Sequence, residues 1–186
     1  MKQLALVAGL ALAGLSTPAF ADGSGFVRGE VGRSDIDISV VDFGSASDKD
    51  TAWGIRGGYW FNPNIAIEGF YSQLYSTTVD DGFDTYRAKL HAVGLGLVAK
   101  KNFSGNHTGF FISGRGGVAR GVVTLEIDGD VEDAEASSAK PYFGVGAGYD
   151  FSERFGLSLN YDRMKGDGEG VDVTAKTLTL GVEARF

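Results

Sequence analysis

The sequence predicts an all-β fold: an eight-stranded, antiparallel, up-and-down barrel that crosses a bilayer with its strands. Three observations carry that expectation. The stretch Trp53–Tyr71 alternates apolar residues with small or charged ones at a period of two. The pattern returns between Val145 and Tyr161. Long polar loops and short turns then alternate along the rest of the chain.

In the first hairpin, Trp53, Ile55, Gly57, Tyr59 and Phe61 share one face, and Arg56, Gly58 and Trp60 share the other. Asn62-Pro63-Asn64 supplies turn chemistry, because proline presets φ and asparagine tolerates tight turns. Alternation resumes with Ile65, Ile67, Gly69 and Tyr71 against Ala66, Glu68, Phe70 and Ser72. A charge set between bulky apolar neighbours fits one face on lipid and the other on a polar lumen. The second copy sets Val145, Ala147, Tyr149 and Phe151 against Gly144, Gly146, Gly148 and Asp150, and Ser152-Glu153-Arg154 makes its turn. Phe155, Leu157, Leu159 and Tyr161 then oppose Gly156, Ser158, Asn160 and Asp162.

The remaining strands follow the same grammar. Val27, Gly29 and Val31 point outward in the first, with Arg28, Glu30 and Gly32 inward; the phase slips near Ser34, where a bulge or loop start is expected. Residues Val41–Asp50 and Tyr75–Asp84 read as polar loops. The fourth strand sets His91, Val93, Leu95, Leu97 and Ala99 against Ala92, Gly94, Gly96, Val98 and Lys100. Ser104-Gly105-Asn106 makes a tight connection. The fifth puts Phe110, Ile112, Gly114, Gly116 and Val118 outward, with Phe111, Ser113, Arg115 and Gly117 inward. Ile127–Ser138 is the most acidic loop and Lys165–Gly170 closes the last one. The final strand carries Leu178, Leu180, Val182, Ala184 and Phe186 on one face, and Thr177, Thr179, Gly181, Glu183 and Arg185 on the other. Aromatic girdles are expected at Tyr59, Phe61, Phe110, Tyr149, Phe151, Phe155 and Phe186 near the turns, and at Trp53, Tyr71, Tyr75, Phe143 and Tyr161 near the loops.

Composition sets the boundaries. The 186 residues suit one domain. Lys2, an apolar run from Leu4 to Leu15 and Thr17-Pro18-Ala19-Phe20-Ala21 read as a secretory signal over residues 1–21, removed after Ala21, which leaves 22–186 for the barrel. No cysteine is present, so disulfide and thiolate chemistry are excluded. A net charge of −7 argues against nucleic acid as partner. No cofactor or metal pattern appears: Asp128, Asp130, Glu132, Asp133 and Glu135 lack the spacing of a calcium loop.

By parity, Arg28, Arg56, Lys100, Arg115 and Arg185 face inward together with Glu30, Glu68, Asp150, Asp162 and Glu183, a balanced set. A barrel of this size has room inside only for its own side chains, so these charges must pair. Arg87, Lys89 and Arg120 point outward at the loop ends of adjacent strands. They are candidates to contact lipopolysaccharide phosphates, or cations that snorkel to the interface. A lipid-modifying enzyme would need a nucleophile and base in reach. His107 sits in a turn, and His91 points outward while Ser72 and Ser76 point inward, so parity brings no such pair together.

These segments resemble the eight-stranded transmembrane domain of outer-membrane protein A and its small relatives. The matching residues are Gly57-Gly58-Tyr59 through Asn62-Pro63 to Glu68, Arg115-Gly116-Gly117, Gly146 to Phe151, and Leu178 to Phe186. The resemblance implies an outer-membrane protein, monomeric, whose relatives include structural proteins, adhesins and weak ion pores. It implies that Phe186 is read by the barrel-assembly machinery, and that loops would carry any host or surface ligand. It also makes Glu68 a candidate gate that exchanges between Lys100 and Arg115; a static charge plug is the other reading of the same residues. Larger relatives append a peptidoglycan-binding periplasmic domain, for which nothing follows Phe186, and Asn160 stands where the family often carries an acid.

Overall fold

The computed structural model describes residues 23–40, 44–80, 85–104, 108–127, 130–134, 139–168 and 171–186. Residues 1–21, expected to form a signal, and His107 lie outside these residues. The described strands are β1 (Ser24–Val40), β2 (Gly44–Asn62), β3 (Ile65–Asp80), β4 (Thr85–Asn102), β5 (Gly109–Ile127), β6 (Asp130–Ala134), β7 (Lys140–Asp150), β8 (Phe155–Gly168) and β9 (Val171–Arg185). Each neighbour pair in the barrel is antiparallel, and β1 pairs with β9 from Phe26↔Arg185 to Val40↔Val171, which closes the sheet. The short β6 pairs with the loop end of β5 and β7 with its turn end, so the two share one position of an eight-stranded barrel. Among the described residues no helix is long and apolar enough to cross a membrane; strands make the crossing.

Alternation sorts the side chains as expected. Leu95 is 63% exposed and Leu180 55%, while Glu68 is 1% and Asp150 0%. An apolar outside over a charged inside is stable only with lipid around it. Aromatic pairs gird the turn end, with Tyr59–Phe61 centroids 5.7 Å apart and Phe110–Tyr149 4.9 Å. At the loop end, Trp53 and Tyr71 lie 5.9 Å apart.

Local chemistry closes the turns. Asn62 Oδ1 accepts from the backbone N–H of Asn64 (2.8 Å) and Ile65 (2.9 Å), and Ser152 Oγ accepts from Arg154 and Phe155 N–H, each at 3.2 Å. Gly109 has φ of 85°, a left-handed conformation that favours glycine.

Several expectations need correction. β1 runs through Ser34 without a register shift, and Ile36 is buried inside. The apparent slip arises because the lumen itself turns apolar at that level. Of the expected loops, Gly44–Asp50, Tyr75–Asp80, Asp130–Ala134 and Lys165–Gly168 are strand. The ladder continues beyond the lipid, where water faces both sides and hydrophobic alternation is no longer required. A register shift between Gln73 and Tyr75 pairs Tyr75 with Leu90, and Tyr75 packs against the interior cluster instead of the girdle. The same shift sets Ser76 opposite Lys89.

Leu95 faces lipid midway between the girdles. Leu95→Arg is expected to destabilise the barrel by about 2–4 kcal/mol, as a cation at the bilayer midplane does. Urea titration of the protein folded in lipid vesicles measures this, with heat-modifiable gel mobility as the folding readout. An unchanged midpoint would remove lipid from that face.

Candidate functional site: the lumenal charge network

The inward charges come together in two groups along the barrel axis. In the central group, Arg56 from β2 donates from Nε to Glu30 Oε2 (2.8 Å), from Nη1 to Glu68 Oε1 (3.0 Å) and from Nη2 to Asp162 Oδ2 (3.3 Å). Arg115 from β5 donates from Nη1 to Glu30 Oε1 (2.9 Å) and from Nε to Asp162 Oδ1 (2.7 Å), and its Nη2 reaches Asp162 Oδ2 as well. A guanidinium offers five donors in a planar fork, so one arginine can join three carboxylates from three strands.

The turnward group is built around Asp150 and Glu183. Arg28 binds Glu183 through Nε (2.9 Å) and Nη2, and Arg185 Nε donates to Glu183 Oε1 at 2.5 Å. Arg185 Nη2 donates to Asp150 Oδ1 (2.7 Å), while Lys100 Nζ (3.0 Å) and Asn102 Nδ2 (2.9 Å) share Asp150 Oδ2. A 3.8 Å contact between Arg28 Nη1 and Glu30 Oε1 links the two groups. The central group thus holds Glu30, Glu68 and Asp162 against Arg56 and Arg115. The turnward group holds Asp150 and Glu183 against Arg28, Lys100 and Arg185.

The structure therefore places Arg28, Glu30, Arg56, Glu68, Lys100, Arg115, Glu183 and Arg185 all on the lumen, joined by Asp150 and Asp162. It does not join Glu68 to Lys100 or to Arg115 by a direct contact. Glu68 is held by Arg56 and by Tyr142, whose hydroxyl donates to Oε1 at 2.8 Å, while Lys100 is held by Asp150. Tyr142 was not among the residues drawn from the sequence. Its parity with Gly144 and Gly146 on β7 was the available signal. Asn160, at the position where the family resemblance would put an acid, donates to Glu30 Oε1 (3.3 Å) and to Ser158 Oγ (2.9 Å).

Missing side chains make room for the network. A Cβ on Gly144 would lie 2.0 Å from Asp162 Oδ1, and one on Gly96 would lie 2.2 Å from the Tyr142 hydroxyl. Toward the loops the lumen fills with Ile36, Phe70, Leu74, Ala92, Ala119, Tyr142 and Ala175. Toward the turns, Phe26, Trp60, Ala66 and Val98 pack together. Cations lie over these aromatics: Arg56 4.4 Å from the Phe70 centroid and Lys100 4.5 Å from Trp60. Voids of about 20 Å³ and 10 Å³ remain beside the two charge groups. The larger has room for about one water.

On the outer face, Arg120 pairs in register with Val93, and Lys89 with Thr124 and Ser76, so the two stand on neighbouring strands at different heights; the Arg87 side chain lies outside the described residues. His91 faces outward, stacked on Tyr71 at 5.4 Å, with the Tyr71 hydroxyl 2.6 Å from its Nδ1. Among the described residues no histidine and acid group is arranged to hold a metal ion.

Arg56→Met is expected to cost about 3–5 kcal/mol, since it removes the guanidinium paired with buried Glu68 and leaves Arg115 alone to bridge Glu30 and Asp162. Tyr142→Phe removes a single donor and should cost about 1–3 kcal/mol. The same vesicle titration ranks them. Equal costs would mean that Arg56 does not hold the network together.

No curated protein matches the chain significantly in sequence. Among solved structures, neisserial surface protein A shares 17% identity at a TM-score of 0.66, covering 89% of this chain and 100% of its own. The attachment invasion locus protein of Yersinia pestis shares 18% identity at a TM-score of 0.55, covering 88% of this chain and 99% of its own. At these identities the likeness is one of fold. The family model described as the outer membrane protein beta-barrel domain matches residues 7–186, and with the closed barrel on view, the chain belongs to that family.

Proposed function

We propose that this protein is an integral outer-membrane barrel with a structural or surface-interaction role and a lumen closed by its own charges. The observation that carries the reading is the filled interior. Ten inward charges engage one another across the barrel, aromatic and aliphatic side chains pack on either side of them, and the voids beside the two charge groups among the described residues are water-sized. Exchange of Glu68 between Lys100 and Arg115 would first have to break its bonds to Arg56 and Tyr142. The Tyr71–His91 pairing supports a role for His91 in the interfacial aromatic belt and no catalytic one.

A surface role would lie in the loop-end hairpins. Among the described residues, Asp35, Asp37, Asp48 and Asp50, then Asp80, then Glu126, Asp130, Glu132 and Asp133 stand on the loop-end strand segments and give that end negative charge. That field favours a cationic partner and disfavours polyanions. The names of the two solved neighbours describe a surface protein and an attachment protein; for this chain a comparable role is part of the proposal. Below that crown, Arg87, Lys89 and Arg120 are the cations proposed to meet lipopolysaccharide phosphates.

Planar-bilayer recording tests the closed lumen. No conductance steps are expected from the wild type or from Glu68→Ala; steady steps from the wild type would overturn the plug. For the lipid contact, the Arg87→Ala/Lys89→Ala/Arg120→Ala variant should co-purify with less lipopolysaccharide than the wild type, measured by phosphate content. An undiminished amount discards those residues as the contact.

A further inference from the structure

The turn end of the barrel is not filled. A cavity of about 340 Å³ opens there, at the lower end of the range of small-molecule sites. Trp60 and Lys100 lie at its base with Arg185, Arg154 and Glu153 stand at its rim, and Pro63 and Phe186 add apolar wall.

The base has hydrogen-bonding capacity that the chain does not use. Trp60 is 3% exposed, and its Nε1–H has no acceptor. Lys100 is 7% exposed and makes one hydrogen bond, to Asp150, its ammonium otherwise lying over the Trp60 and Phe111 rings, so two of its three N–H donors have no acceptor oxygen. Both groups donate only, so they ask for an acceptor. The charge group behind them holds Arg28, Lys100 and Arg185 against Asp150 and Glu183, one cation more than it has carboxylates. Arg154, exposed at the turn, is matched in number by Glu153, so the excess at this end is the one cation of the buried group.

The geometry points to a binding site for a small organic anion in this turn-side vestibule, with the carboxylate or phosphate of the ligand toward Lys100 and Arg154 and its apolar body against Trp60, Pro63 and Phe186. Donors buried without acceptors and a local excess of positive charge select the anion. The mixed wall selects an apolar body over a bare inorganic ion. The site faces away from the acidic loops, so it would be reached from the side on which the short turns lie.

The protein contains two tryptophans, so Trp53→Phe, on the lipid face, leaves Trp60 as the sole indole reporter. In zwitterionic nanodiscs at fixed ionic strength, sodium benzoate is titrated against Trp60 emission, with benzyl alcohol as the uncharged control. A saturable change is expected for benzoate, at least about tenfold tighter than any response to benzyl alcohol. In the same background Arg154→Ala, at an exposed turn that carries no fold contact through its side chain, should weaken benzoate by about tenfold. Lys100→Met should weaken it further, with gel mobility confirming that it folds. A linear, unsaturable response, equal responses to acid and alcohol, or unchanged affinity in Arg154→Ala would each overturn the site.

Discussion

A bilayer supplies no hydrogen-bonding partner to a peptide group, and every other feature of this molecule is subordinate to that. Each N–H and C=O within the lipid must be met by a neighbouring strand, so the sheet has to close on itself, which it does between Phe26 and Arg185 at one end and Val40 and Val171 at the other. Closure fixes parity. Once one strand faces lipid with its odd positions, its partners must follow, and the lumen receives whatever the other positions carry. With eight positions around the ring, the lumen is narrow, and the charges delivered to it lie within reach of one another.

Narrowness also explains the distribution of glycine. Large interior groups fit only where the facing position has no side chain: Tyr142 against Gly96, the Arg115–Asp162 pair against Gly144, and Asp150 against Gly156. The network is therefore specified twice, by the charged residues and by the gaps that receive them. An alanine at Gly144 would be welcome to a strand by propensity, yet it would displace the carboxylate that anchors Arg115.

Parity made most of this legible from the sequence, because lipid enforces it residue by residue. What parity cannot supply is distance across the lumen. Arg56 meets Asp162, and Arg115 meets Glu30, over sequence separations of 106 and 85 residues. Those meetings depend on strand stagger around the barrel, which no single strand encodes. That Glu68 rests on Arg56 and Tyr142, with no direct contact to Lys100 or Arg115, has the same origin. Tyr142 escaped notice because the repeated pattern begins at Gly144, one step further along β7. The bulge at Leu74 has no glycine to announce it, so Tyr75 looked like a girdle residue. Strand extensions such as Gly44–Asp50 were hidden by the same physics: outside the bilayer a ladder persists without an oily face to mark it.

The two ends of the barrel differ because the strands end at different places relative to the membrane. On the loop side they continue past the lipid, which leaves a long column that must be filled; Ile36, Leu74 and Ala175 fill it with apolar bulk. On the turn side they stop close to the girdle, and the lumen meets water almost at once. An imbalance of charge is tolerable only under different terms at these two depths. In the dry centre, the surplus carboxylate among Glu30, Glu68 and Asp162 is met by neutral donors, the Tyr142 hydroxyl and the Asn160 amide. Near the turns, the surplus cation among Arg28, Lys100 and Arg185 can face an open cavity, where solvent or an acceptor from outside the chain supplies what the protein does not. A lumen whose ten inward charges balance is thereby polarised along its axis, with the surplus carboxylate at its centre and the surplus cation toward the turns.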